Sequence, residues 1–260
     1  LTLVTLIAVR DLPAYFVEWP SRGNVRLLYR ADIHVAADYA IEHDMTDFGI
    51  SGLMTGAWDR EAFNIYLGDH DARPRWYHNQ RALFLNPATS FFAYPFAENA
   101  LLFDRYETLV APVGAYRLGR VAAPPPLPAA LTCFTNGLCL QAATYDSTTG
   151  HLDLTFHVAR PLDLPPIPLI SNPPPPNTYA GPRLSVFAHL LDQNEQIITG
   201  DDGLWVDVLT LHPDDVFLQR HILSPADTQT SINIGLYDPK TGQRIPTDTG
   251  ADHYKIDIRN

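Results

Sequence analysis

Within SGLMTGAWDREAFNIYL (51–67), Trp58, Asp59 and Arg60 place an aromatic face, a carboxylate and a guanidinium side by side. That set of groups suits a sugar: the indole covers a ring face while the two charged groups bond its hydroxyls. The same residues also suit a strand-to-helix connection. Asp59 stands just ahead of a run with Ala62, Phe63, Tyr66 and Leu67 on one side, where a carboxylate can accept backbone N–H groups. Glu61 in the first turn complements the helix dipole, and Gly52 and Gly56 permit a tight loop. Capping and packing outweigh the sugar reading. If a ligand is bound here, Trp58, Asp59 and Arg60 are the residues that hold it.

The other clusters carry less. GDHDARP (68–74) gathers Asp69, His70 and Asp71, but neighbours in an extended chain point to opposite sides, so a solvated loop is expected. TGDDGLW (199–205) is oxygen-rich yet lacks the spacing and terminal Glu of a calcium loop, and reads as a turn. His34 and His43 do not share a helix face. His151 and His157 share a strand face but lie roughly 20 Å apart. The chain contains no GxSxG, HExxH, phosphate loop or GxGxxG. A glycosidase needs two facing carboxylates, which spacing alone does not pair. No catalytic residue, metal site or cofactor is expected.

Charge narrows the partners. The 260 residues are 46% hydrophobic and 18% charged, with a formal net charge of −11 and only two lysines, Lys240 and Lys255. An acidic balance disfavours nucleic acid and an anionic membrane surface, both of which need basic patches. The opening LTLVTLIAV is far shorter than the roughly 20 apolar residues of a bilayer span. It reads either as the end of a membrane helix or as a first buried strand or helix. The two cysteines, Cys133 and Cys139, flank FTNGL. A three-residue TNG loop would set them opposite each other on a hairpin, and a two-residue NG turn would stagger them. A disulfide is favoured over two free core thiols, which leans the chain toward an oxidising, extracytoplasmic compartment.

The elements that position these residues change character along the chain. Up to residue 118 strand and helix patterns alternate. YFVEW has strand character. ADIHVAADYAIEHD repeats Ile33, Ala36, Ala37, Ala40 and Ile41 at helical spacing. DFGISG reads as a buried strand, REAFNIYLG as a helix, RPRWYH and RALFL as strands, and residues 97–110 as a further helix. This alternation predicts an α/β layered domain over 1–118. AAPPPLP marks a stiff proline-rich linker at 119–126. From 127 to 260 short alternating runs separated by turn signals predict an antiparallel β-sandwich, giving an α+β chain overall. Two turns echo each other, YDSTTG (145–150) and YDPKTG (237–242), with Asp early and Gly late as hairpin chemistry requires. PLDLPPIPLISNPPPPNTYAGP (161–182) cannot supply ladder donors at its prolines and is expected as a surface loop.

YFVEWPSRGNVRLLYRADIHVAADYA and DFGISGLMTGAWDR resemble the text that follows the last membrane helix in bacterial GT-C type membrane glycosyltransferases, similar to the dolichyl-phosphate-mannose–protein mannosyltransferases. FTNGLCLQAATYD, LSVFAHLLDQNEQIITGDDG and INIGLYDPKTGQRIP are similar to the sandwich that ends many of them. The resemblance implies a non-catalytic extracytoplasmic accessory region, tethered to the membrane portion of the same polypeptide and contacting glycan or acceptor protein. The catalytic acids of that family lie on loops between membrane helices, and no residue here matches them. The proline-rich insertion and the cysteine pair depart from the usual text. The other expectation is a free-standing secreted carbohydrate-binding or adhesion protein. A third, a hydrolase, would require a deep pocket with converging carboxylates.

Overall fold

The computed structural model describes residues 2–22, 31–52, 59–85, 90–93, 107–121, 128–166, 181–226 and 228–258. The fold is mixed α/β, with one mixed sheet and two antiparallel sheets. Helix α1 spans Thr2–Pro13 and continues through a π-helical turn, Ala14–Glu18, into the short α2, Trp19–Ser21. YFVEW is therefore helical, contrary to the strand character of its aromatic residues. The preceding helix has already met the cost of nucleation, so each further residue adds a bond cheaply. Tyr15 and Trp19, four apart, stack at 5.5 Å. Of the opening run, residues 2–9 are helical as well, with Val4, Ile7 and Val9 exposed.

Helix α3 (Ala31–Glu42) buries Ile33, Ala36, Ala37 and Ala40, one apolar stripe at 3.6 periodicity. Strand β1 (Asp47–Ser51) follows, then α4 (Arg60–Leu67), which buries Phe63 and Leu67 and stops at Gly68 with φ +58°. Strand β2 (Arg73–Tyr77) lies parallel to β1. Strand β4 (Ser90–Ala93) lies parallel on β1's other side. The antiparallel hairpin of β5 (Glu107–Val113) and β6 (Tyr116–Val121) completes the order β2-β1-β4-β6-β5. Strand β1 is buried along all but its first residue, as a strand covered on both faces must be. Alternate residues divide the two faces. Trp76 and Phe92 join the helices' core, while their neighbours Tyr77 and Phe91 join the core of the C-terminal sheets.

That second core lies among two five-stranded antiparallel sheets. One contains β3 (Ala82–Phe84), β12 (Val216–Ile222), β9 (His151–Val158), β8 (Leu138–Asp146) and β7 (Thr132–Cys133) in that order. The other runs β11 (Ile197–Asp202), β10 (Ser185–Asp192), β13 (Gln229–Tyr237) and β14 (Arg244–Ile245), with β15 (Tyr254–Asp257) also on β13. In β9 burial alternates perfectly: Leu152, Leu154, Phe156 and Val158 point inward, while His151 and His157 share the outer face.

Four further expectations change. Of the helix expected at 97–110, residues 107–110 lie in β5, where pairing with β6 across the Gly114 turn (φ +58°) prevails over helical spacing; 97–106 lie outside the described residues. The linker expected at 119–126 begins inside β6, which runs to Val121. The turn expected at 199–205 is strand β11 up to Asp202, because residues 197–202 pair with β10. Strand β3, from the 1–118 segment, pairs with β12 and so belongs to a C-terminal sheet. The chain's two compositional halves thus share a sheet and a core. Of the 161–182 loop, residues 167–180 lie outside the described residues.

Candidate functional site

The connection from β1 goes through α4 to β2 on one side, and the chain then reaches β4 on the other. In parallel sheets such a reversal opens a crevice beyond the strands' carboxyl ends, the usual ligand position. Ser51 and Gly52 end β1 there, Tyr77 and His78 end β2, and Gly52 N donates to Tyr77 O at 3.4 Å. Asp59 and Arg60 start the crossover helix at the same edge. Trp58 lies outside the described residues.

The structure employs Asp59 and Arg60 in packing. Asp59 is 8% exposed, and its backbone carbonyl accepts from Phe63 N at 3.0 Å. Its side chain makes no capping bond, contrary to the expectation from spacing; with φ −88° and ψ 26° the residue is outside the extended geometry of a capping residue. Arg60 Nη1 donates to Asp207 Oδ2 at 2.5 Å and Nη2 to Glu61 Oε1 at 2.9 Å. Asp207 is almost fully buried and also accepts from Leu209 N at 3.1 Å, capping the 3₁₀ turn Val208–Thr210. Burial pushes the Asp207 carboxyl above its usual range, and Arg60 opposes that shift without cancelling it. The guanidinium that could have bonded a sugar thus ties α4 to the segment ahead of β12.

A second ion pair lies deeper. Arg75 on β2 is 5% exposed; its Nε donates to both oxygens of the fully buried Asp215, at 2.7 and 2.6 Å, and its Nη1 donates to Asp47. Asp215 also accepts from His212 N at 2.8 Å. Burial disfavours the Arg75 charge, but the two carboxylates outweigh it and hold the pKa above its ordinary value. A charge so enclosed is tolerable only when paired.

Just past the end of β2 sits a histidine that the spacing did not single out. His78 is 8% exposed, its N–H donates to Trp205 O at 2.7 Å, and among the described residues neither ring nitrogen has a partner. Burial, then the nearby Arg81 cation, lowers its pKa, so the ring is held neutral. The Trp205 ring meets it edge-on at 6.1 Å. Arg81 lies 5.2 Å over that indole and pairs with Asp201 at 2.9 Å. Asp201 Oδ2 accepts from Ile222 N, and Asp201 O meets the buried His221 Nδ1 at 2.7 Å. His78 was visible in the sequence only as the last letter of RPRWYH.

The remaining clusters are structural. His70 Nε2 contacts Met45 O at 3.0 Å in an otherwise exposed loop. Among the described residues no three His, Cys, Asp or Glu side chains are placed to hold a metal. Cys133 and Cys139 are register partners joined by a disulfide, with Cα atoms 4.0 Å apart. The turn between them is the three-residue one: Phe134 N donates to Leu138 O, and Gly137 has φ +101°. No family model, curated protein or solved structure matches this chain.

Proposed function

We propose that this chain is a non-catalytic, extracytoplasmic accessory region of a membrane glycosyltransferase-like protein, anchored through its N-terminal helix and contacting glycan or acceptor protein. Its two antiparallel sheets are the faces of a β-sandwich. The observation that carries the reading is the exposed apolar surface of α1 and the turn after it. Val4, Val9, Phe16 and Val17 are each about two-thirds exposed or more, and Ile7, Leu12 and Tyr15 are also exposed. An apolar surface of this extent, broken only by the exposed Arg10–Asp11 pair, marks a membrane or protein contact. Tyr15, Phe16 and Trp19 form an aromatic cluster in the turn that follows α1, and such residues suit a lipid–water interface. No helix among the described residues is long and apolar enough to cross a membrane. The disulfide supports an oxidising compartment. The acidic balance supports attachment by apolar burial rather than by charge.

Vesicle flotation tests this. The chain is expected to float with neutral phosphatidylcholine vesicles, equally at low and high salt, and a Val4→Asn, Ile7→Asn, Val9→Asn variant to stay at the bottom. A wild-type chain that never floats removes the anchoring. Turnover of glycans by the purified chain removes the non-catalytic part.

A further inference from the structure

A groove of about 450 Å³ opens on the C-terminal sheets, and none of the residues at the ends of β1 and β2 lines it. Three segments wall it: Thr135–Asn136 in the disulfide-closed turn, Asp163–Pro166 after β9, and Gln243–Pro246 with Asp238. The walls are fastened to one another. Asp163 N donates to Asn136 O, and Thr135 N to Pro246 O, each at 2.9 Å. Arg183 donates twice to Pro165 O, at 3.1 and 2.7 Å. A cleft held by backbone bonds, prolines and a disulfide needs little ordering when it binds.

Its lining has a definite chemistry. Asn136 is 4% exposed, and its Oδ1 accepts from Leu138 N at 3.2 Å. Its Nδ2 has no partner among the described residues. A buried amide donor left unsatisfied is costly, and a ligand oxygen would satisfy it. Asp163 offers a carboxylate, a group that accepts from hydroxyls, and Asp238, each of whose oxygens already accepts one bond in its own turn, offers its remaining lone pairs. Leu164, Pro165, Ile245 and Pro246 add an apolar surface. The cation in the lining, Arg244, is engaged elsewhere: it lies 4.2 Å over the Phe187 ring and donates to Asp252 at 3.2 Å. The groove therefore disfavours phosphates and carboxylates. The geometry points to a binding site for a neutral saccharide of one or two rings, with Asn136 donating to a ring or hydroxyl oxygen, the two aspartates accepting from hydroxyls, and the prolines under a C–H face. Such a volume is within the range of small-molecule sites. This assignment rests on the glycan-contact part of the proposed function and is independent of the membrane anchoring.

The test is a titration of the ¹⁵N-labelled chain with maltose, cellobiose, mannobiose and lactose, followed by amide shifts. At least one disaccharide is expected to bind at roughly millimolar Kd, shifting the amides of Asn136, Asp163, Gln243 and Ile245. Asn136→Asp keeps the acceptor that holds the turn but removes the donor and adds a charge. It is expected to weaken binding about tenfold or more and, because the new carboxylate is buried without a cation, to lower the melting temperature as well; Asp163, which is exposed, gives the variant that leaves the fold intact. Asp163→Asn is expected to weaken it less. The assignment is overturned if no disaccharide shifts these amides, if the shifts map elsewhere, or if Asn136→Asp binds like wild type. A lysine-rich peptide that binds where every disaccharide fails also overturns it. Loss of saccharide binding with vesicle flotation intact removes the groove and leaves the anchor standing.

Discussion

The turns YDSTTG (145–150) and YDPKTG (237–242) are built alike but used differently. In each, the Asp side chain accepts from the backbone N–H two residues on, at 2.9 Å, and from the Thr hydroxyl three residues on, at 2.8 Å. In each, the closing glycine donates to the Asp carbonyl at 2.8 Å with a positive φ, +73° at Gly150 and +75° at Gly242. Their surroundings differ. A Cβ on Gly150 would stand 1.9 Å from Leu223 O, on the segment leaving β12, whereas one on Gly242 would meet nothing within 4 Å. The Gly150 turn is a packing joint, fastened by the Leu223 N–H to Gly150 O at 2.8 Å. The Gly242 turn stands open beside the groove wall. Local chemistry sets the shape of a turn, and the tertiary neighbour decides what its glycine is worth.

Mutation can break or sharpen that contrast. Gly150→Ala combines the unfavourable φ with a clash against backbone, and is expected to cost about 3 kcal/mol or more in chemical denaturation. Replacing Cys133 and Cys139 with Ala removes a short covalent loop on the open side; a loss of about 2 kcal/mol is expected under non-reducing conditions. Gly242→Ala bears the φ penalty alone, about 1 kcal/mol, and should leave saccharide titrations unchanged. Equal losses for the two glycine variants would end the comparison. A loss well below 1 kcal/mol at Gly242 would sharpen it.

Both turns were legible in the sequence because Asx chemistry is local. So were the stripe of α3 and the alternation of β9, where one period covers the whole element. What was not legible depends on partners far along the chain. Arg75 and Asp215 are 140 positions apart, and nothing in RPRWY or HPDDVF announces their bond. Three residues, Ala82–Phe84, are too few to show which sheet they join. YFVEW carried strand propensity, but the helix already running before it prevailed. In the WDR trio, spacing pointed to both a cap and a sugar site. The Asp59 side chain makes no capping bond, Arg60 is committed to Asp207, and an unsatisfied amide lies buried in the groove wall at Asn136, a residue the sequence offered only as part of a turn.

The pairing of β3 with β12 sets a timetable for the chain during synthesis. Leu83 and Phe84 leave the ribosome well before their strand partners Leu218 and Phe217. Arg75 likewise waits for Asp215. At ordinary translation speeds that interval is on the order of ten seconds. Throughout it the nascent chain holds an unpaired strand and a cation with only the exposed carboxylate of Asp47 to pair it, where a finished core will be. Folding of the first half is therefore completed from behind, by the arrival of the second, and a chain arrested before β12 is a natural substrate for chaperones.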